Sequence, residues 1–246
     1  MAERIRGVFF DLGDTLLNFG HVDVLGLFEA GAQAVYQHLA SLGPPMPTFA
    51  KYHRRQLRTV RWNYFKSRIT QREFDARSLL VRQCRDMGFN LTEEGFDDLI
   101  WRWYEPLSRC ASTEPDLRAT LDRLSEHCTL GLISNTFIPA AALDRHLAQL
   151  HLLERLPVRV YSCQVRYRKP HAAIFRLALE RAGLAAHEAL FVGDSMVADV
   201  AGANRAGLIS VLKDPTGRHK HALVHPRYRI AHLAELPAIV GGYNGR

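Results

Sequence analysis

Apolar positions follow two different rhythms along this chain. Between about Asp23 and Ser108 they return every three or four residues, as in amphipathic helices; elsewhere they gather into short runs that stop at polar groups, as in buried strands. Within the helical stretch, Val24, Phe28, Ala32, Val35 and Leu39 form one stripe that Gly43 and Pro44 close. Thr70-Gln71-Arg72-Glu73 has the form of a capping box and predicts a helix opening there, with Phe74, Leu80 and Val81 on it. Thr92-Glu93-Glu94 predicts another, carrying Phe96, Leu99, Ile100 and Trp103. No strand-like run interrupts the stretch, which therefore reads as an all-helical insertion.

From Ser112 onward, helix and strand alternate. Thr113-Glu114-Pro115 opens a helix bearing Leu117, Leu121 and Leu124, and the run Thr129–Ser134 reads as a strand. A helix from Pro139 to near Leu150, a strand at Val158–Ser162 and a helix at Ile174–Ala182, led by Pro170 and closed by Gly183, come next. Then follow a strand at Ala189–Asp194, a helix at Asp199–Ala206 closed by Gly207, and a strand at Leu208–Leu212. Strands separated by helical runs of this length predict a parallel sheet with right-handed crossovers. Lys213–Arg229, with Arg218, Lys220, Arg227 and the histidines His219, His221 and His225, reads as an exposed basic loop and not a metal site, since no carboxylate supports the histidines. The end, Gly241 to Arg246, is expected to fray.

Composition narrows the class of protein. With 246 residues, 47% of them apolar, the chain has material for a sizeable core. Its formal net charge of +7 favours anionic partners without identifying them. Cys84, Cys110, Cys128 and Cys163 form no C-x-x-C pair, which speaks against structural zinc and for reduced thiols in the cytoplasm. No run reaches the ~20 apolar residues a membrane span needs. Lys51 to Arg72 is rich in Lys and Arg, has no acidic residue, and interleaves Trp62, Tyr64 and Phe65. Arg54, Arg58 and Arg61 fall on one helix face, so a solvated face is favoured over a nucleic-acid patch.

The chemistry lies where apolar runs end. Val8-Phe9-Phe10 stops at Asp11 before a Gly-bearing turn, Leu130-Gly131-Leu132-Ile133 stops at Ser134-Asn135, and Ala189-Leu190-Phe191-Val192-Gly193 stops at Asp194. In open parallel sheets, ligands bind at those strand ends. Arg168-Lys169-Pro170 falls between the second and third, and Asp199 lies five residues past Asp194. Taken in order, Asp11, Ser134, Lys169, and Asp194 with Asp199, the set resembles the haloacid dehalogenase-like (HAD) superfamily of aspartate-nucleophile hydrolases. The resemblance spans the chain.

That resemblance implies an α/β fold: a Rossmann-like core from residues 1–18 and 109–246, with residues 19–108 as a helical cap. It implies a phosphatase that attacks a small anionic phosphorylated metabolite with Asp11 and passes through an aspartyl-phosphate. Mg²⁺ would be bound by Asp11, Asp194 and the Gly13 carbonyl, with Asp199 orienting the outer shell. Lys169 would supply fixed positive charge, and Ser134, helped by Asn135, a hydrogen bond to a phosphoryl oxygen. A monomer or homodimer is expected.

One position departs from the pattern. Phosphatases of this family carry a second Asp two residues after the nucleophile, as acid for the leaving group; here that residue is Gly13, and the carboxylate is Asp14. Asp14 turning inward, a water or His21 standing in, or a slow or inactive relative would each account for the change. Acyl phosphates, which depart without protonation, would suffer least. The competing activities are halide displacement, phosphonate cleavage through a cap lysine (Lys51 or Lys66), and binding without catalysis through the basic face.

Overall fold

The computed structural model describes residues 4–219 and 224–245. Strand β1 (Gly7–Phe10) is followed by four helices, α1 (Val24–Ala40), α2 (Phe49–Thr70), α3 (Ala76–Asp86) and α4 (Glu93–Ser108). Helix α5 (Leu117–Ser125) then leads to β2 (Thr129–Ser134). The chain continues through α6 (Ala140–Gln149), β3 (Val158–Tyr161), the single turn α7 (Ser162–Val165), α8 (Ala172–Ala182) and β4 (Ala189–Gly193). It ends with α9 (Ala201–Ala206), β5 (Ile209–Lys213), β6 (Tyr228–Ile230) and α10 (Leu236–Tyr243). The strands form one parallel sheet in the order β3-β2-β1-β4-β5-β6. The α/β class, the parallel sheet and the helical insertion after β1 all match the expectation from the sequence. No helix among the described residues is long and apolar enough to cross a membrane.

All four residues of β1 are buried, because helices cover both faces of the sheet. Val8 and Phe10 join Leu130, Leu132, Leu190 and Val192 on one side. Phe9 points to the other, with Ile133, Val160, Phe175 and Phe191. The inserted helices have a smaller core of their own, including Val35, Leu39, Tyr52, Phe96 and Leu99. Along α2, Lys51, Arg54, Arg58, Arg61 and Lys66 are all exposed, as a solvated face requires, and Trp62 and Phe65 are exposed with them.

Three sequence expectations need correction. The apparent capping box at Thr70–Glu73 does not open a helix: the Thr70 hydroxyl donates to the Lys66 carbonyl, and Gln71 ends α2 in the left-handed region (φ 54°). Asp75 caps α3 instead, accepting from the Arg77 and Ser78 N–H groups at 2.9 and 3.2 Å. The basic stretch after β5 is not all loop. Tyr228–Ile230 adds the edge strand β6, and Asp214, 6% exposed, takes the Arg218 and His219 N–H groups and pairs with Arg229. His221 lies outside the described residues, so the histidine group as a whole is not described. Finally, Gly241–Tyr243 belongs to α10, and the Asn244 carboxamide is tied at both ends to Ile5, accepting from its N–H and donating to its carbonyl.

Helices α1 and α4 approach so closely that a methyl group on Gly31 would sit 2.1 Å from the Trp103 carbonyl oxygen. Phe28, three residues earlier, stacks on the Trp103 ring at 4.9 Å. Overfilling such a contact costs about 1–3 kcal/mol. Gly31→Ala is therefore expected to lower unfolding stability by that amount in urea titration; an unchanged midpoint would show that α1 and α4 can part freely.

Candidate active site

The site forms where the strand order reverses. β1 and β4 are neighbours, paired Phe10 to Val192, so the residues that follow them, Asp11 and Asp194, emerge together at the carboxyl edge. The Asp11 N–H donates to the Val192 carbonyl at 2.8 Å, extending the ladder to the carboxylate itself. Asp199 reaches the same place from the π turn Met196–Val200, where it accepts a hydrogen bond from the Ser195 N–H at 2.9 Å. This fold-back requires glycine at the end of β4: a Cβ on Gly193 would lie 2.4 Å from the Asp199 carboxyl carbon.

Lys169 ties these parts together. Its ammonium lies 2.8 Å from Asp11 and 2.7 Å from Asp199, and both Lys169 and Asp199 are essentially sealed from solvent. Asn135 holds the lysine backbone from both sides, its Oδ1 accepting from the Lys169 N–H (2.7 Å) and its Nδ2 donating to the Lys169 carbonyl (2.9 Å). Asn135, expected beside a phosphoryl group, thus orients Lys169 with its Oδ1 and one of its two Nδ2 N–H groups. Ser134 ends β2, buried at 4% exposure, on the strand beside Asp11.

Carboxylate oxygens of Asp11, Asp194 and Asp199 lie within 4.8 Å of one another. Burial, and then the charges of Asp11 and Asp14, push the Asp194 carboxyl up to about 6. Burial also raises Asp199 above the usual carboxylate range, against the pull of Lys169. Burial alone would lower the lysine; its two carboxylates outweigh that cost and hold it above its ordinary value. One buried cation against three crowded carboxylates leaves unbalanced negative charge. A hard divalent cation with oxygen ligands fits this donor set.

The turn after Asp11 is tight: the Asp14 N–H donates to the Leu17 carbonyl at 2.7 Å, and Leu17 N–H donates to the Leu12 carbonyl at 2.8 Å. Asp14 is exposed, at a left-handed φ of 54°, and near enough to raise Asp194. His21 is exposed. The space beside Gly13 is open, with no atom within 4 Å of where its Cβ would be.

Two features escaped the sequence reading. Phe137, just past Asn135, stacks on Phe74 of the insertion at 5.1 Å and lies 6.1 Å from Tyr64 and 6.2 Å from Trp103. This aromatic wall joins the insertion to the core beside the site, and the apolar pair Phe137-Ile138 after a polar strand end was its one sequence signal. A separate cavity of about 240 Å³ lies between the insertion and Pro139 of the core, lined by Val35, Leu79, Leu80, Gln83 and Trp103, and shares no residue with the acidic cluster.

The same chain is similar in sequence to two curated enzymes over most of its length. It is 29% identical to a phosphoglycolate phosphatase of Yersinia pseudotuberculosis, covering 97% of this chain and 94% of that one. It is 28% identical to a ribulose-1,5-bisphosphate 5-phosphatase of Halopiger xanaduensis, covering 85% and 84%. The fold matches a crystal structure of a 2-haloacid dehalogenase from Pseudomonas syringae with a TM-score of 0.64 and 26% identity, over 97% and 99% of the two chains. Residues 5–207 match the haloacid dehalogenase-like hydrolase family, a span that holds Asp11, Ser134, Asn135, Lys169, Asp194 and Asp199. With family match and site geometry in agreement, the chain belongs to the haloacid dehalogenase-like hydrolases.

Proposed function

We propose that this hydrolase is a Mg²⁺-dependent phosphatase of small phosphorylated metabolites, with Asp11 as nucleophile. The observation that carries the reading is the crowding of Asp194 and Asp199 beside the Asp11–Lys169 pair. A nucleophilic carboxylate that displaces halide has no use for two further carboxylates, whereas phosphoryl transfer uses the cation they would hold. The phosphatase relatives from Yersinia and Halopiger support the same reading. Residues 19–108 would act as a cap over the strand ends.

In this reaction, an Asp11 oxygen attacks phosphorus, and the bond from phosphorus to the leaving oxygen breaks. The departing oxygen leaves as an anion and, where it is basic enough, takes its proton from solvent water. Water then attacks the aspartyl-phosphate, releasing inorganic phosphate and restoring the carboxylate. Lys169, held in register by Asn135, pairs with the free Asp11 carboxylate and supplies fixed positive charge to the transferring group. Ser134 donates to a phosphoryl oxygen as charge builds there. Asp11, Asp194 and the Gly13 carbonyl would hold Mg²⁺, with Asp199 orienting its outer shell, and the bound ion would neutralise phosphoryl oxygens.

Gly13 leaves the leaving group without a positioned acid, so substrates whose leaving groups depart without protonation are favoured. Asp14, facing solvent from a left-handed turn, is the nearest carboxylate in sequence.

Asp11→Asn is expected to abolish Mg²⁺-dependent hydrolysis of p-nitrophenyl phosphate and acetyl phosphate; wild-type rates in that variant would remove Asp11 from the chemistry. Metal-independent turnover of 2-chloropropionate would favour the dehalogenase reading instead. Gly13→Asp introduces the missing carboxylate into open space. It is expected to raise kcat for alkyl phosphates about tenfold or more while leaving acetyl phosphate little changed. An equal effect on both, or none, would show that the leaving-group proton comes from elsewhere.

The raised Asp194 carboxyl sets a pH dependence. In the metal-free protein, the folded state binds the extra proton between its ordinary value of 3.8 and about 6, so stability falls as pH rises through that window. A cation competes with that proton. The thermal shift produced by Mg²⁺ should therefore grow from pH 5 to pH 7.5 and shrink in Asp194→Asn; a shift independent of pH would place the ion elsewhere.

A further inference from the structure

Besides the aromatic wall at Phe137, the insertion meets the segment that carries Lys169 through a short strap. Gln71–Glu73, between α2 and α3, runs antiparallel to Arg166–Arg168, the residues immediately before Lys169. Glu73 N–H donates to the Arg166 carbonyl at 2.9 Å, and Arg168 N–H donates to the Gln71 carbonyl at 3.1 Å. Side chains reinforce this backbone pairing. The Glu73 carboxylate, 1% exposed, lies 3.3 Å from the Arg168 guanidinium and accepts from the Ser162 hydroxyl at 3.1 Å. Arg168 also donates to the Ser67 hydroxyl on α2 at 2.8 Å and lies over the Tyr64 ring. Ser162 in turn accepts from the Thr136 N–H at 2.8 Å, one residue past Asn135.

The Arg166–His171 segment has no regular secondary structure of its own. Groups from outside the segment hold it instead; one of them, Arg205, donates to the Pro170 carbonyl at 3.1 Å. Asn135 from the core grips Lys169, and the strap from the insertion grips the three residues before it. A buried carboxylate and guanidinium persist together because each alone would be a stranded charge. Nothing in the chemistry proposed above uses either side chain.

We infer that Glu73 and Arg168 are positioning residues: seating of the helical insertion, through their ion pair, fixes the loop that presents Lys169 to Asp11. A purely structural staple would alter stability and leave turnover per folded molecule unchanged. A positioning strap alters the placement of the lysine ammonium. The inference rests on the reading of Asp11 and Lys169 as the reacting pair, and its test separates the two.

The full-length variants Glu73→Gln and Arg168→Met, assayed with Mg²⁺ well below their melting temperatures, are expected to lose about 10- to 100-fold in kcat on p-nitrophenyl phosphate, the scale of a misplacement near 1 Å. KM should stay within about threefold, because neither side chain lies at the acidic cluster. Arg168→Lys should retain more kcat than Arg168→Met, and the double variant should be no worse than the poorer single, as for two residues acting as a unit. Values of kcat within twofold of wild type in both single variants would overturn the inference. A second measurement does not need turnover: acetylation of Lys169 by an activated ester, read by mass spectrometry against exposed Lys51. Glu73→Gln should speed it, while Arg77→Met, which breaks the pairs with Glu93 and Asp97 elsewhere in the insertion, should not. Unchanged Lys169 labelling in Glu73→Gln would overturn the strap even in a protein that folds poorly. A wild-type protein inert towards every phosphate ester would instead defeat the phosphatase reading, with the labelling result still deciding the strap.

Discussion

The contact that everything else serves is the buried ammonium of Lys169, 2.8 Å from Asp11 and 2.7 Å from Asp199. Three carboxylates whose oxygens lie within 4.8 Å repel by about 3 kcal/mol per pair at an effective dielectric of about 20. Lysine offsets part of that repulsion, and its own desolvation is offset by having two partners in place of one. The remaining negative charge makes the site hungry for a cation. Burial, and after it the charges of Asp11 and Asp14, lift Asp194 to about 6, so a cation bound there would compete with a proton.

Such crowding needs a frame that does not yield. A parallel sheet buried on both faces supplies one: β1 and β4 are locked in register from Gly7–Ala189 to Phe10–Val192, with Asp11 one residue and Asp194 two residues beyond that last pair. The ladder sets their separation, and the helices covering both faces keep water from relaxing it. Gly193 extends the argument to the turn, since only a residue without Cβ lets Asp199 fold back beneath the strand end. The sheet fixes Asp11 and Asp194 directly. Lys169 sits on a loop, and so depends on contacts from other parts of the chain.

That difference explains what could be read from the sequence. Val8–Asp11, Leu130–Asn135 and Ala189–Asp194 are local signals: an apolar run, then a polar stop, then a turn. They led to the fold and to the residues that meet at the site. Thr70–Glu73 misled for a physical reason. Its Ser/Thr-x-x-Glu spacing fits a helix start, but the Glu73 carboxylate is bound by Arg168 and Ser162, partners roughly ninety residues away that no local pattern reveals. Strand β6 was hidden because Tyr228-Arg229-Ile230 is short, lies at the sheet edge and has Pro226 and Arg227 before it. The bonds of Asn135 to the Lys169 backbone were not legible either, since a carboxamide at a strand end can serve a ligand, a neighbouring backbone or both.

Position 13 shows how function can change where the fold does not. Gly13 and Asp14 share one turn, in which the second residue takes a left-handed φ that aspartate tolerates better than most side chains. The turn closes through backbone groups, Asp14 N–H to the Leu17 carbonyl and Leu17 N–H to the Leu12 carbonyl, so neither side chain is needed to hold it. The carboxylate at 14 faces solvent, and the space at 13 is open. Whether a carboxylate stands at position 13 is therefore independent of whether Asp11, Lys169 and the acidic cluster assemble. On the mechanism proposed above, a chain keeps its electrostatic frame while the residue at position 13 decides which leaving groups it tolerates, and the fold does not register that choice.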